Sequence, residues 1–206
     1  MNALMQQTSV YLCPELAGTL MTPEEFDAVD EYEEGYRYEL VHGVLVVNPI
    51  PLPEETDPNE ELGSWLRTYR QQNPGVIDVT MPQQYIRTST GRRLADRVIW
   101  AGLGRVPDRR RDVPAIAVEF VSRSRRDRQR DYVDKRQEYI AAGVAEYWII
   151  DRFRRTLTVV RPGPEGPVDQ VIAEMETFTT PLLPGFELPL ARLLAVADRW
   201  AEPDDR

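Results

Sequence analysis

Two short stretches constrain this chain more than any others. Leu94-Ala95-Asp96-Arg97-Val98-Ile99-Trp100-Ala101 and Ala115-Ile116-Ala117-Val118-Glu119-Phe120-Val121 read as buried strands, yet each carries one carboxylate. An isolated carboxylate near a core must be paired, protonated or bound to a cation. Two of them on consecutive strands suggest a shared partner, and a divalent metal is one such partner. Hard cations such as Mg²⁺ take a few carboxylates, a backbone carbonyl and several waters, and they serve phosphate chemistry. The competing reading pairs each acid with an arginine, since Arg97 and Arg123 lie close in sequence.

The basic residues supply a third element. Of 25, 24 are arginine and one is lysine, Lys135. Arginine does not give up a proton and has a broad planar head, whereas lysine is a compact ammonium with an adjustable pKa. The exception marks Lys135 as a candidate site residue. In a helix read over residues 127–142, Tyr132, Lys135 and Tyr139 share one side, so the lysine borders the face turned to the sheet. Its stem can lie over apolar surface while the ammonium reaches for strand carboxylates.

Composition removes several function classes. The 206 residues, 42% hydrophobic, suffice for one core, expected as a single domain over residues 21–200 between tails at 1–20 and 201–206. No apolar run is long enough to span a bilayer, and the first twenty residues lack the basic start and apolar run of an export signal, so a cytoplasmic protein without membrane contact is expected. One cysteine, Cys13, and one histidine, His42, exclude internal disulfides and multi-cysteine or paired-histidine zinc motifs. A serine hydrolase is disfavoured by the lack of a Gly-x-Ser-x-Gly elbow. The net charge is −9, but residues 87–161 hold 19 basic and 10 acidic side chains, so a basic middle is flanked by acidic ends. Such asymmetry suits either a polyanion-facing centre or internal charge pairing.

The coarse pattern is a mixed α/β chain. Thr22-Pro23-Glu24-Glu25 is a capping box opening a short helix toward Val29. Tyr38–Val41 and Val44–Val47 flank His42-Gly43 as a hairpin, and a Pro-rich loop over residues 48–58 leads to a helix with Leu62, Trp65, Leu66 and Tyr69 on one face. Strands are expected over residues 76–87, 94–101, 115–121, 146–150 and 156–160, the long helix lies before the fourth of these, and Leu190, Leu193, Leu194 and Ala197 mark a final amphipathic helix. The sum is a mixed sheet with helices packed on it.

These residues carry a resemblance. Arg37-Tyr38-Glu39-Leu40-Val41-His42-Gly43, then Asp96, then Val118-Glu119-Phe120-Val121-Ser122, then Asp131-Tyr132-Val133-Asp134-Lys135 with Tyr139, then Gly143-Val144-Ala145-Glu146-Tyr147-Trp148-Ile149-Ile150-Asp151, and finally Pro184-Gly185-Phe186-Glu187-Leu188, resemble in order and spacing the Uma-two restriction endonuclease family. The resemblance implies the restriction-endonuclease-like PD-(D/E)XK core, with an N-terminal helix and hairpin and a C-terminal helix. It implies that Asp96 takes the place of the motif's first Asp and Glu119 that of its second acid. The lysine usually stands two residues after the second acid, where this chain has Val121, and Lys135 on the next helix matches the moved lysine. Glu39 matches the acid of the family's Tyr-Glu-Leu segment and is a further catalytic candidate beside a structural role. Ala95, His42 and Arg123 depart from the family pattern, which bears on activity more than on fold.

Together these readings imply an endonuclease hydrolysing DNA phosphodiester bonds with Mg²⁺, or Mn²⁺, held by Asp96 and Glu119, and with Lys135 assisting the water. Arg123, Arg125, Arg126 and Arg128 are candidate phosphate contacts, and the Arg109–Arg111 loop is expected to open near the acids as well. A non-catalytic nucleic-acid or protein-binding module on the same scaffold is the alternative. Cutting both strands would usually need two sites, so a homodimer is expected on symmetry grounds.

Overall fold

The computed structural model describes residues 10–123 and 129–200. Where the sequence suggests one domain, the chain divides into two compact units: the described part of Met1–Ile50 with Ser89–Leu94, and Pro51–Thr88 with the described part of Ala95–Arg206.

In the first unit, Thr22 caps α1 (Pro23–Asp27): its hydroxyl accepts the Glu25 amide at 3.1 Å while Glu25 Oε2 accepts the Thr22 amide at 2.7 Å. This is the expected capping box on a helix shorter than the sequence suggests. Residues 10–20, read from sequence as part of a tail, are ordered. Strand β1 (Tyr11–Leu12) pairs in parallel with β2 (Glu31–Tyr32), because Leu12 buries itself with Phe26, Tyr38, Leu40 and Leu45. Strands β3 (Tyr36–Val41) and β4 (Val44–Pro49) form the expected hairpin. Its turn residues, His42 at φ 50° and Gly43 at φ 77°, both have positive φ, as a two-residue turn matched to strand twist requires.

The second unit is built on a sheet ordered β10-β9-β8-β7-β6, with β5 (Ile77–Arg87) also paired to β6 (Arg92–Ala101), whose first three residues belong to the first unit. Strands β7 (Ile116–Phe120) and β8 (Glu146–Asp151) are parallel; β6 with β7, β8 with β9 (Thr156–Arg161) and β9 with β10 (Val168–Ala173) are antiparallel. The mixed sheet is thus as expected. Beyond the expected strands lie the exposed strand β10 and a small pair, β11 (Thr177–Phe178) with β12 (Leu188–Pro189). The polar, turn-rich sequence of residues 162–173 hides β10.

Helices cover both faces. On one, α2 (Pro53–Gln72) and α4 (Leu190–Asp198) bury Leu62, Leu66, Leu193 and Leu194 against Ile99, Ile116, Val118 and Trp148. Helix α2 starts at Pro53, inside the region read as a loop. Pro53 preorganises its first turn and Glu54 and Glu55 favour its positive end, so the helix tolerates Pro58. On the opposite face, α3 (Lys135–Ala141) and the wide turn leading into it cover Val98, Trp100, Ala117, Val121, Tyr147 and Ile149. A parallel pair such as β7 and β8 demands a crossover, and α3 belongs to it.

Arg97 settles one of the sequence alternatives. Its side chain is fully buried on the α2 face, where Nε donates to Asn59 Oδ1 at 2.7 Å and Nη2 to the Asn59 carbonyl at 2.9 Å and to Glu60 at 3.2 Å. Burial lowers the pKa of this guanidinium, against the pull of Glu60. Successive strand residues face opposite ways, so Arg97 points away from its neighbour Asp96. The guanidinium also lies on Gly63, where a Cβ would come within 2.4 Å of Nη2. The hydrogen bonds to Asn59 close the usual escape of a flexible side-chain end. Gly63→Ala, despite a gain of about 1 kcal/mol in helix propensity, is expected to destabilise the protein by roughly 1–2 kcal/mol, read from urea unfolding.

Candidate active site

The antiparallel register of β6 and β7 pairs Arg97 with Val118, Val98 with Ala117 and Ile99 with Ile116. Continued by one residue, it sets Asp96 opposite Glu119. Glu119 alternates with Val118 and Phe120, which enter the α2 face, so its side chain turns to the face covered by α3. There the Asp96 carboxylate accepts the Phe120 amide at 2.9 Å, and Asn59 Nδ2 fixes the Asp96 carbonyl at 2.9 Å. The acid is held from its own strand, from β7 and from α2.

Lys135 meets them from the helix. Its Nζ lies 2.9 Å from Glu119 Oε1 and 3.4 Å from Asp131 Oδ1, and all three side chains are nearly excluded from solvent. Tyr139 Oη donates to the same Glu119 Oε1 at 2.8 Å. Tyr139 packs edge-on against Tyr147, with centroids 5.0 Å apart, and Tyr147 Oη donates to the Asp131 carbonyl at 3.1 Å.

Asp131 is the member that sequence reasoning missed. The helical face read from sequence contains Tyr132, Lys135 and Tyr139, but Arg130–Asp134 forms a wider π-type turn, closed by the Lys135 amide donating to the Arg130 carbonyl. Such turns recur at functional sites. Asp131 and Lys135 lie side by side at i, i+4, while Tyr132, half-buried against the same core, donates its hydroxyl to Asp151 at 3.0 Å. Burial and that carboxylate push the Tyr132 phenol up to about 12. The available signal was the i, i+4 spacing of Asp131 and Lys135, which the neighbouring arginines disguised as a solvated helix start.

The electrostatics follow from burial. Desolvation pushes the Glu119 carboxyl well above the usual carboxylate range; Lys135 pulls it down, and Asp96 and Asp131 push it up. Asp131 is raised to about 6, again by burial first, with Lys135 opposing and Asp96 reinforcing. Burial likewise raises Tyr147, and the same three carboxylates add to the effect. Asp96, Glu119 and Asp131 thus oppose one another's ionisation, and Lys135 favours it, with Arg130 helping at Asp131.

Among the described residues, no three carboxylate, imidazole or thiol groups are arranged to cage an ion. Asp96 and Glu119 suit a different arrangement, in which one or two hard carboxylates hold Mg²⁺ and waters complete the shell. Both contacts given above to Glu119 fall on Oε1.

The remaining candidates are placed as follows. Glu39, in the first unit, is buried; its Oε1 accepts the Leu94 amide at 3.0 Å and Oε2 accepts Asn48 Nδ2 at 3.3 Å. Arg123 is exposed just beyond β7, at the end nearer Glu119, whereas Arg125, Arg126 and Arg128 lie outside the described residues. The expectation that the Arg109–Arg111 loop opens near the acids is corrected by the register. That loop joins the far ends of β6 and β7, and the five residues from Asp96 to Ala101 span about 17 Å.

The comparisons agree with this architecture. The family model Uma2, described as "Putative restriction endonuclease", matches residues 23–191. The chain belongs to the Uma2 family. A crystal structure from Anabaena variabilis ATCC 29413, described as a "putative nuclease belonging to DUF820", has the same fold: TM-score 0.66 at 14% identity, over 86% of this chain and 99% of that one. No curated protein matches the sequence. The Uma2 chain thus has the expected mixed α/β, restriction-endonuclease-like architecture. No helix among the described residues is long and apolar enough to cross a membrane.

The raised carboxyl of Asp131 has a consequence for stability. A folded-state pKa above the unfolded one means that the native protein binds the proton more tightly, so this contribution is full below about pH 4 and is lost as pH rises through about 6. The difference in unfolding free energy between wild type and Asp131→Asn is expected to change by on the order of 1–3 kcal/mol between pH 4 and 7, wild type losing more, as measured by urea titration at each pH. Tyr139→Phe removes the hydroxyl donor to Glu119 and is expected to cost roughly 1 kcal/mol in the same assay.

Proposed function

We propose that the protein is a metal-dependent endonuclease acting on DNA, with Asp96 and Glu119 as ligands of Mg²⁺ or Mn²⁺ and Lys135 beside the reacting water. The observation that supports this most is the meeting of Glu119 and Lys135 on the sheet face that Asp96 shares, from residues far apart in sequence. The family's description and the nuclease named for the structural neighbour point the same way. When bound, the ion supplies an activated water and neutralises phosphate charge. The chain's own residues orient it: Asp96 is fixed by the Phe120 amide, and Glu119 is aimed by Tyr139. Lys135 brings an ammonium to where charge develops on the phosphate oxygens. Arg123, together with Arg125, Arg126 and Arg128, would contact the backbone phosphates, contacts that position DNA without reading its sequence. Glu39 is kept as an auxiliary acid in this reading. A homodimer would bring two such sites to opposite strands.

One observation favours the second reading, a non-catalytic binding module: Lys135 and Glu119 neutralise each other in a nearly closed cluster. The two are separated by assaying single-stranded, linear duplex and supercoiled DNA with Mg²⁺ and with Mn²⁺. Wild type is expected to cleave, while Asp96→Ala and Lys135→Ala lose at least about a hundredfold in rate with circular dichroism unchanged. Absence of cleavage on every substrate, with no metal binding by calorimetry, would leave the binding module.

A further inference from the structure

Glu119 serves two demands on opposite charges: as described, it holds the Lys135 ammonium, and as a metal ligand it must face a divalent cation. A cation on Glu119 removes most of the attraction that keeps Lys135 in place and adds repulsion between like charges. Asp131 answers this. It lies one turn before Lys135 on the same helical segment, with Oδ1 3.4 Å from Nζ, and its carbonyl is tied to β8 through Tyr147 Oη at 3.1 Å. Its position is thus fixed independently of Glu119.

We propose that Asp131 is a positioning residue that retains Lys135 in the site when Glu119 turns to the metal, so that the ammonium passes from one carboxylate to the other as the ion binds. The proposal rests on reading Asp96 and Glu119 as ligands. The two residues stand at i, i+4 and lie side by side, both buried. Nothing is consumed in the exchange: a salt bridge to Glu119 is replaced by one to Asp131.

Lys135 is the only lysine, so its accessibility can be read directly by acetic anhydride labelling and peptide mass mapping. Wild-type Lys135 is expected to label slowly with or without saturating Mg²⁺. Asp131→Asn should label as slowly without Mg²⁺ and at least tenfold faster with it. In Glu119→Gln, where Asp131 remains, labelling should stay slow, and adding Asp131→Asn to that variant should release the lysine. Equal protection of Asp131→Asn and wild type in Mg²⁺ overturns the proposal, as does fast labelling of Glu119→Gln, which decides the matter even if Asp131→Asn does not fold. Calorimetry distinguishes the two failures. A wild type that does not bind Mg²⁺ overturns the metal reading and this proposal together, whereas binding with labelling unaffected by Asp131→Asn overturns this proposal alone.

Discussion

The parallel pairing of β7 and β8 is the constraint from which the site follows. Two parallel neighbours cannot be joined by a tight turn, so the chain leaves the sheet after Phe120 and returns at Glu146. Helix α3 lies on that path, and it packs on the face to which Glu119 points. Lys135 therefore meets Glu119 although fifteen residues separate them in sequence. The register of β6 against β7 does the rest by setting Asp96 across from Glu119. A shift of one residue in β6 would turn Asp96 toward α2 and Arg97 toward the site, and one in β7 would turn Glu119 toward α2.

Burial then decides the chemistry. Exposed, three carboxylates and a lysine would be an ordinary solvated patch. Covered by α3, they are costly, and the protein meets part of that cost with directed bonds: the Phe120 amide on Asp96, Tyr139 on Glu119 and Lys135 on Glu119 and Asp131. The raised carboxyls of Glu119 and Asp131 express what these bonds leave uncompensated.

Much of this was legible in the sequence, for identifiable reasons. Asp96 and Glu119 stood out because each breaks an apolar strand run, and Lys135 because it is alone among arginines. The capping box at Thr22 and the His42-Gly43 hairpin are local, so local chemistry sufficed to find them. What escaped depended on geometry that side-chain type does not record. The wide turn at Arg130–Asp134 is a backbone feature, and no composition rule announces it. Strand β10 is mostly exposed and lacks the apolar alternation of an inner strand, so only its pairing with β9 reveals it. The tail beginning at Tyr11 is ordered by a two-residue pairing anchored on one side chain, Leu12, in a stretch too short to show a periodicity.

The opposed directions of Asp96 and Arg97 divide labour between adjacent codons. One residue places a carboxylate at the front of the sheet; the next bolts the strand to the helical layer behind it through Asn59. A change of side chain at the front therefore leaves the rear attachment, and with it the architecture, in place.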